Sequence, residues 1–241
     1  MRRVVLMLLG ALGTVAANAA EPSAPDDSLK PFLARYGIVW RGFNAGTTEL
    51  ELSRAADGQF VYASRANAKG LFRAVFSEEI TQTTWFTVTN GGVQPARYRA
   101  DDGTDDTDRD IAVDFDWATG RASGTAEDKA VDVALEAGAQ DAMSIQMALM
   151  RDLLDGNKPS AYRLLDKDRI KEYSYAYEGE ARLKTVLGEL DTVIYRAQRA
   201  GSKRVTRTWY APSLGYVAVR GEQLREGKRE WQMEIRSLKR D

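Results

Sequence analysis

The stretch "DDGTDDTDRD", residues 101–110, places six aspartates in ten positions. Hard oxygen donors of this kind suit a calcium ion when they converge about a tight glycine turn and a late glutamate closes the shell. Asp101, Asp105 and Asp108 are the candidate ligands, but Gly103 comes early and no closing glutamate follows, so the run reads instead as a charged, solvated connection, with a metal site only as its alternative. Just beyond it, Ile111, Val113, Phe115 and Trp117 alternate with Asp110, Ala112, Asp114 and Asp116. A strand with that period puts Asp114 and Asp116 on one face, on the order of 7 Å apart at a rise of ~3.3 Å per residue. Such a pair is compatible with the two carboxylates of a glycosidase. A solvent face paired to basic strands is the plainer reading.

Two further groups have the chemistry of binding rather than catalysis. Met143, Met147 and Met150 recur at spacings of four and three, with Leu154 four further on, and Leu149 and Leu153 widen the stripe. Unbranched, polarizable methionines can line a pocket for variable acyl tails or fill an ordinary core. Tyr173, Tyr175 and Tyr177 share one face at strand period, fit either to stack on a ligand or to pack across strands. A third group, Arg196, Arg199, Lys203, Arg204 and Arg207, forms either a cross-paired face or a surface for anionic headgroups.

Composition narrows the mechanisms. The chain has no histidine and no cysteine, so it builds no Ser-His-Asp triad, no thiol nucleophile and no ordinary zinc site. Ser144 and Lys184 belong to no S-x-x-K sequence. The expectation is a protein without a cofactor, more naturally a binding domain than an enzyme.

The elements that must position these side chains are mostly strands. "MRRVVLMLLGALGTVAANAA" has two arginines, a short apolar run and small residues at Ala17 and Ala19, the pattern of a signal peptide over residues 1–19. It predicts export to a bacterial periplasm with no membrane-spanning segment in the mature chain. Residues 20–33, rich in Pro, Ser and Asp, read as a flexible leader, and residues 34–241 as a single domain. Residues 20–138 carry 12 Lys/Arg against 20 Asp/Glu, and residues 139–241 carry 20 against 15. That asymmetry suggests an acidic first half pairing with a basic second half across a sheet. With export and a net charge of −1, nucleic acid is not an expected partner.

In "TTELELSR", Thr48, Leu50 and Leu52 fall on one face of a half-buried strand, and turns at Asp57–Gly58 and Asn90–Gly92 mark hairpins. About a dozen such strands follow one another, interrupted once by an amphipathic helix over residues 141–155, with Asp141 as its cap and Gly156 as its stop. The predicted fold is all-β and mainly antiparallel. It is a curved sheet, half-barrel or flattened barrel, with the helix on the concave side.

Several of these stretches together resemble the DUF3108 family of exported bacterial proteins. They are "YGIVWRGFNAGTTELEL", "PARYR" followed by "DFDW", "DAMS" at the helix start, "LKTVLGELDTVIYR" and "TWYAPSLGYVAVR", spanning residues 36–239. Val217 and Ala218 stand where the family pattern has a proline. The resemblance implies an exported all-β domain and brings no catalytic residues. Element order is also similar to that of the LolA/LolB-like periplasmic lipoprotein carriers. The reading that follows is a periplasmic domain holding a lipid or a lipoprotein anchor against the methionines and tyrosines. Its alternatives are a scaffold for a protein partner in envelope assembly, and a carbohydrate-active enzyme using Asp114 and Asp116.

Overall fold

The computed structural model describes residues 28–74, 76 and 78–240; the expected signal peptide lies outside the described residues. Strand-forming periodicity dominates. The strands are β1 (Phe32–Trp40), β2 (Phe43–Arg54), β3 (Phe60–Ala68), β4 (Ile80–Thr89), β5 (Gly92–Asp101), β6 (Ile111–Asp116), β7 (Arg121–Ala126) and β8 (Lys129–Ala134). A two-residue β9 (Ala139–Gln140) and the helix α1 (Ser144–Leu154) come next. The chain closes with β10 (Ala161–Asp166), β11 (Arg169–Thr185), β12 (Gly188–Arg199), β13 (Arg204–Ala211), β14 (Val217–Arg225) and β15 (Lys228–Arg240).

All 15 strands form one sheet, in the order β8-β7-β6-β5-β4-β3-β2-β1-β15-β14-β13-β12-β11-β10-β9. Two antiparallel meanders are thus joined where the first strand pairs with the last, with Phe32 opposite Arg240 and Trp40 opposite Trp231. Only β9 runs parallel to its neighbour, β10. The sheet does not close by hydrogen bonds, and this open half-barrel is the expected fold class. Its two edges nonetheless approach each other, because Lys167 beyond β10 pairs with Glu127 beyond β7, and Arg163 on β10 reaches Glu136 at 2.9 Å.

The chain enters the fold earlier than a leader running to residue 33 would have it. Leu29 is buried in the core, and β1 begins at Phe32. Alternation on β2 is as the sequence dictates, with Thr48, Leu50 and Leu52 all inward and buried. Residues 169–185 form one unbroken 17-residue strand, β11. Gly179, which looks like a break, follows a β-bulge that bends the strand without ending it.

Charge pairing is local, contrary to the expected match between halves. Arg35–Glu49, Arg65–Glu51, Arg99–Asp114 and Arg121–Asp132 all lie within the first half, between adjacent strands. In a meander, neighbours in sequence are neighbours in the sheet. Basic residues of the second half meet acidic residues of the first across the two facing edges, at Lys167–Glu127 and Arg163–Glu136.

Candidate functional site

The helix is the first place to look for a ligand pocket, and it is held at its start by a compact polar knot. Asp141 Oδ1 accepts from the backbone N–H groups of Met143 and Ser144, both at 2.8 Å. Ser144 Oγ in turn accepts from the Asp141 N–H at 2.8 Å, so Asp141 and the first helical residue satisfy each other across the turn that leads into α1. The second carboxylate oxygen accepts from Thr84 Oγ1 on β4 at 2.7 Å. Burial pushes the Asp141 carboxyl upward, against the pull of the donors from Thr84, Ser144 and Met143. The "DAMS" stretch is thus a buried helix cap fastened to the sheet.

From that anchor α1 wedges its two faces between the flanks of the sheet. Met143, Met147, Ala148 and Met150 join a core with Phe32, Tyr36, Tyr62 and Phe86, and none of the three methionines is more than 5% exposed. Leu149 and Leu153 form a second cluster with Tyr195 and Tyr210. Tyr62 donates to Gln146 Oε1 at 3.2 Å, and Tyr162 donates to Asp152 Oδ2 at 2.5 Å, so each flank is also hydrogen-bonded to the helix. Burial raises the hydroxyls of Tyr36 and Tyr62 well beyond the ordinary range and pushes Tyr210 up to about 12; Tyr36 donates to Ala218 O at 2.8 Å.

The three tyrosines of β11 have separate surroundings. Tyr175 is half-buried against Tyr162 in an edge-to-face contact at 4.9 Å. Tyr177 is exposed and packs edge-on to Tyr195 at 5.8 Å, and Tyr173 donates to Asp166 at 3.3 Å. Cross-strand packing engages all three. The methionines therefore lie in the interior between helix and sheet, Tyr175 packs at the edge of the second cluster, and Tyr173 and Tyr177 stand outside both.

On the acidic strand, Val113 and Phe115 point into the core while Asp114 and Asp116 face outward. Asp114 accepts from Arg99 on β5 at 2.7 Å. Asp116 Oδ1 accepts from the Ala118 and Thr119 N–H groups, shaping the β6–β7 turn, and these bonds from Thr119 and Ala118 hold its carboxyl below the usual range. A general acid needs the opposite shift. One carboxylate is thus neutralised by its neighbouring strand and the other forms a turn.

The aspartate run behaves similarly. Asp101 accepts from Gly103 N, and Asp106 from Asp108 N, each two residues on. The carboxylates that converge are Asp101, Asp102 and Asp110, with oxygens within 4.8 Å of one another; Asp105 and Asp108 stand outside that group. Thr104 bonds to Asp102 and lowers it, whereas desolvation and the neighbouring aspartates raise Asp110. The basic group at the other end of the chain is cross-paired: Arg196 and Arg207 on Glu178, Lys203 on Glu226, and Arg204 near Glu230.

Sequence reasoning missed two open grooves. The first, of about 230 Å³, runs between the end of β11 and strands β14 and β15, with Leu183, Lys184, Val186, Arg220, Glu234 and Arg236 among its walls. The second, of about 280 Å³, lies over β1 and β2 and is bounded by Ile38, Val39, Asn44, Thr47, Lys69 and the same Arg236. Glycines shape the second: Gly37 lies under the Arg236 side chain, and Gly46, at φ +150°, lets the backbone of Asn67 approach so closely that a Cβ would stand 2.0 Å from its carbonyl oxygen. Glycines inside an otherwise alternating strand were the available signal. Beside this groove, the β1–β2 hairpin exposes Val39, Trp40 and Phe43, the last at 70%. Lys69 N–H donates to Ala45 O and sets the short helix Gly70–Ala74 next to it, where Leu71 is 91% exposed.

Among solved structures, the chain is similar to a β-barrel-like protein of domain-of-unknown-function family DUF1849 from Brucella abortus, at 13% identity and a TM-score of 0.55, covering 88% of this chain and 98% of that one. Weaker likenesses are to the MucA/MucB complex of Pseudomonas aeruginosa (11% identity, TM-score 0.39, covering 88% of this chain and 52% of that one) and to an exported protein with a YmcC-like fold from Bacteroides fragilis (11% identity, TM-score 0.34, 90% and 98%). No curated protein matches significantly. Among the described residues no helix is long and apolar enough to cross a membrane. Residues 34–226 match the family described as "Protein of unknown function (DUF3108)", and to that family the chain belongs.

Proposed function

We propose that the protein is an exported, non-enzymatic interaction domain of the cell envelope that binds a protein partner through its outer surface. The observation that carries this reading is the filled interior. The methionine face that would have to cradle an acyl chain is packed on β-strand side chains, with Met147 only 1% exposed. Large apolar side chains are instead presented outward at the β1–β2 hairpin and beside it: Val39, Trp40, Phe43 and Leu71. Exposed aromatics next to an arginine, here Arg41 at 5.6 Å from the Trp40 ring, are what protein interfaces favour at their centres.

The test places a photo-crosslinking amino acid at Phe43 in the full-length protein, expressed in its native cell. A discrete adduct with one protein is expected, lost when Trp40 and Leu71 are changed to Ser. A defined acyl lipid co-purifying with the chain, and no adduct from Phe43, would overturn the proposal.

A further inference from the structure

We infer that the two grooves form one docking track for an extended, acidic segment of a partner protein, with a carboxylate of that segment seated on Arg236; this rests on the interaction reading above. Arg236 is the residue the two grooves have in common. It occupies a bulge of β15, since Arg35 pairs with Ser237 and Tyr36 with Ile235, leaving Arg236 outside the ladder. Its guanidinium lies over Gly37, where a Cβ would come within 2.9 Å of Nε.

Charge selects the occupant. Several arginines elsewhere on this sheet are paired, as in Arg35–Glu49, Arg65–Glu51 and Arg207–Glu178; Arg199 and Arg225, which like Arg236 have no ion pair among the described residues, border neither groove. Among the described residues, the side chains of Arg236, Lys184 and Lys69 have no ion pair or hydrogen bond, and all three border the track. Arg220 adds a buried Nε without an acceptor. The acidic residue in the walls, Glu234, already accepts from Gln232 at 2.6 Å and lies 4.0 Å from Arg220. Cations left without partners at the meeting point of two depressions call for a carboxylate from outside.

Size and shape select a peptide over a small ligand. At about 230 and 280 Å³ and open to solvent, each groove falls below the usual ~300–1,000 Å³ of a site that encloses a ligand. Each does suit one or two side chains of an extended strand. Leu183 and Val186 on one side of Arg236, and Ile38 and Val39 on the other, supply apolar walls. The favoured sequence is therefore an acidic residue flanked on both sides by aliphatic or aromatic ones.

Short random peptides displayed on phage, selected against the full chain, test this directly. Selected peptides should carry Asp or Glu between apolar residues, and replacing that residue by its amide should weaken binding. Arg236→Glu should weaken the selected peptide at least ~10-fold, Lys184→Glu by less, and both effects should shrink at high salt. Arg225→Glu, a charge reversal on the β14–β15 hairpin outside the track, should change nothing. Gly37→Ala, which crowds Arg236, should reproduce part of the loss with the circular dichroism spectrum unchanged. Peptides without acidic residues, or unchanged affinity in a folded Arg236→Glu protein, would overturn the inference, as would binding to anionic phospholipid vesicles with no peptide selected. If Phe43 still cross-links a protein in those cases, the interaction reading stands and only the track falls.

Discussion

The interior of the half-barrel and the outer surface around Arg236 are built from similar residue types and treated in opposite ways. Inside, the hydroxyls of Tyr36, Tyr62 and Tyr162 each donate to a partner, and the helix fills the concavity from Met143 to Leu153. Around Arg236, the surface of β1, β2 and β15 and the end of β11 carry aromatic side chains in solvent, two open grooves, the first reaching the core residues Val219 and Ile235, and three cations without counter-ions. A fold that packs its apolar side chains where water is excluded and leaves charge and apolar surface unmatched where water can be displaced has its stability in one region and its capacity for recognition in the other.

The largest expected effect tests the first half of that contrast. Met147→Ala removes a side chain 1% exposed and should cost roughly 2–5 kcal/mol, read as a lowered midpoint in urea with an unchanged slope. Trp40→Ser and Phe43→Ser, large changes at exposed positions, should each stay within about ±0.5 kcal/mol. If Met147→Ala were nearly neutral, the interior would be loosely packed, and a cavity for an acyl chain would return as a possibility.

The polar knot at the helix start should come next in size. Asp141→Ala removes the cap and orphans the Thr84 hydroxyl and two backbone N–H groups, for a loss on the order of 1–3 kcal/mol. Asp141→Asn keeps an oxygen for the two N–H groups, and its amide can donate to Thr84 in place of the present bond, so it should cost less. Because burial raises the folded carboxyl above its unfolded value, the stability Asp141 contributes is present below the unfolded value and is lost as pH rises through the folded one. Relative to Asp141→Asn, the wild type should therefore be most stable in acid and lose ground toward neutrality. Thermal melts of both proteins from pH ~3 to ~8 measure that difference, and a constant difference would show that the three donors fully offset desolvation.

How much of this could be read from sequence depends on whether the determining physics is local. Strand alternation and the helix were legible, because a period of two and a period near 3.6 are written into adjacent positions; Asp141 does fasten the helix start, but from three residues before α1, with Met143 at the cap position. The unbroken β11 was not legible, since Gly179 ends a strand or follows a bulge according to whether Ile194 on the facing strand accommodates it. Charge balance by halves misled for a related reason: it ignores that each strand meets its sequence neighbours first. The Arg236 track was the least legible. Its cations stand in three separate segments, at Lys69, Lys184 and Arg236: the pairing of β1 with β2 and β15 brings Arg236 and Lys69 to one groove, and the end of β11, several strands away in the sheet, brings Lys184 to the other.

The smallest expected effect concerns the acidic strand. Asp114 and Arg99 meet at 2.7 Å, but their side chains are 64% and 38% exposed, so solvent screens the pair. Arg99 also donates to the carbonyls of Tyr98 and Val113, which gives it a structural role apart from the carboxylate. A double-mutant cycle of Arg99→Ala and Asp114→Ala should return a coupling of about 0–1 kcal/mol that fades in high salt. Arg99→Ala alone should cost more than Asp114→Ala alone, because it also strips two carbonyls of a donor. Equal single-site losses with a coupling well above ~1 kcal/mol would mean that the outer face of β5 and β6 is as tightly organised as the core, and the division between a satisfied interior and an unmatched surface would have to be redrawn around Arg236 alone.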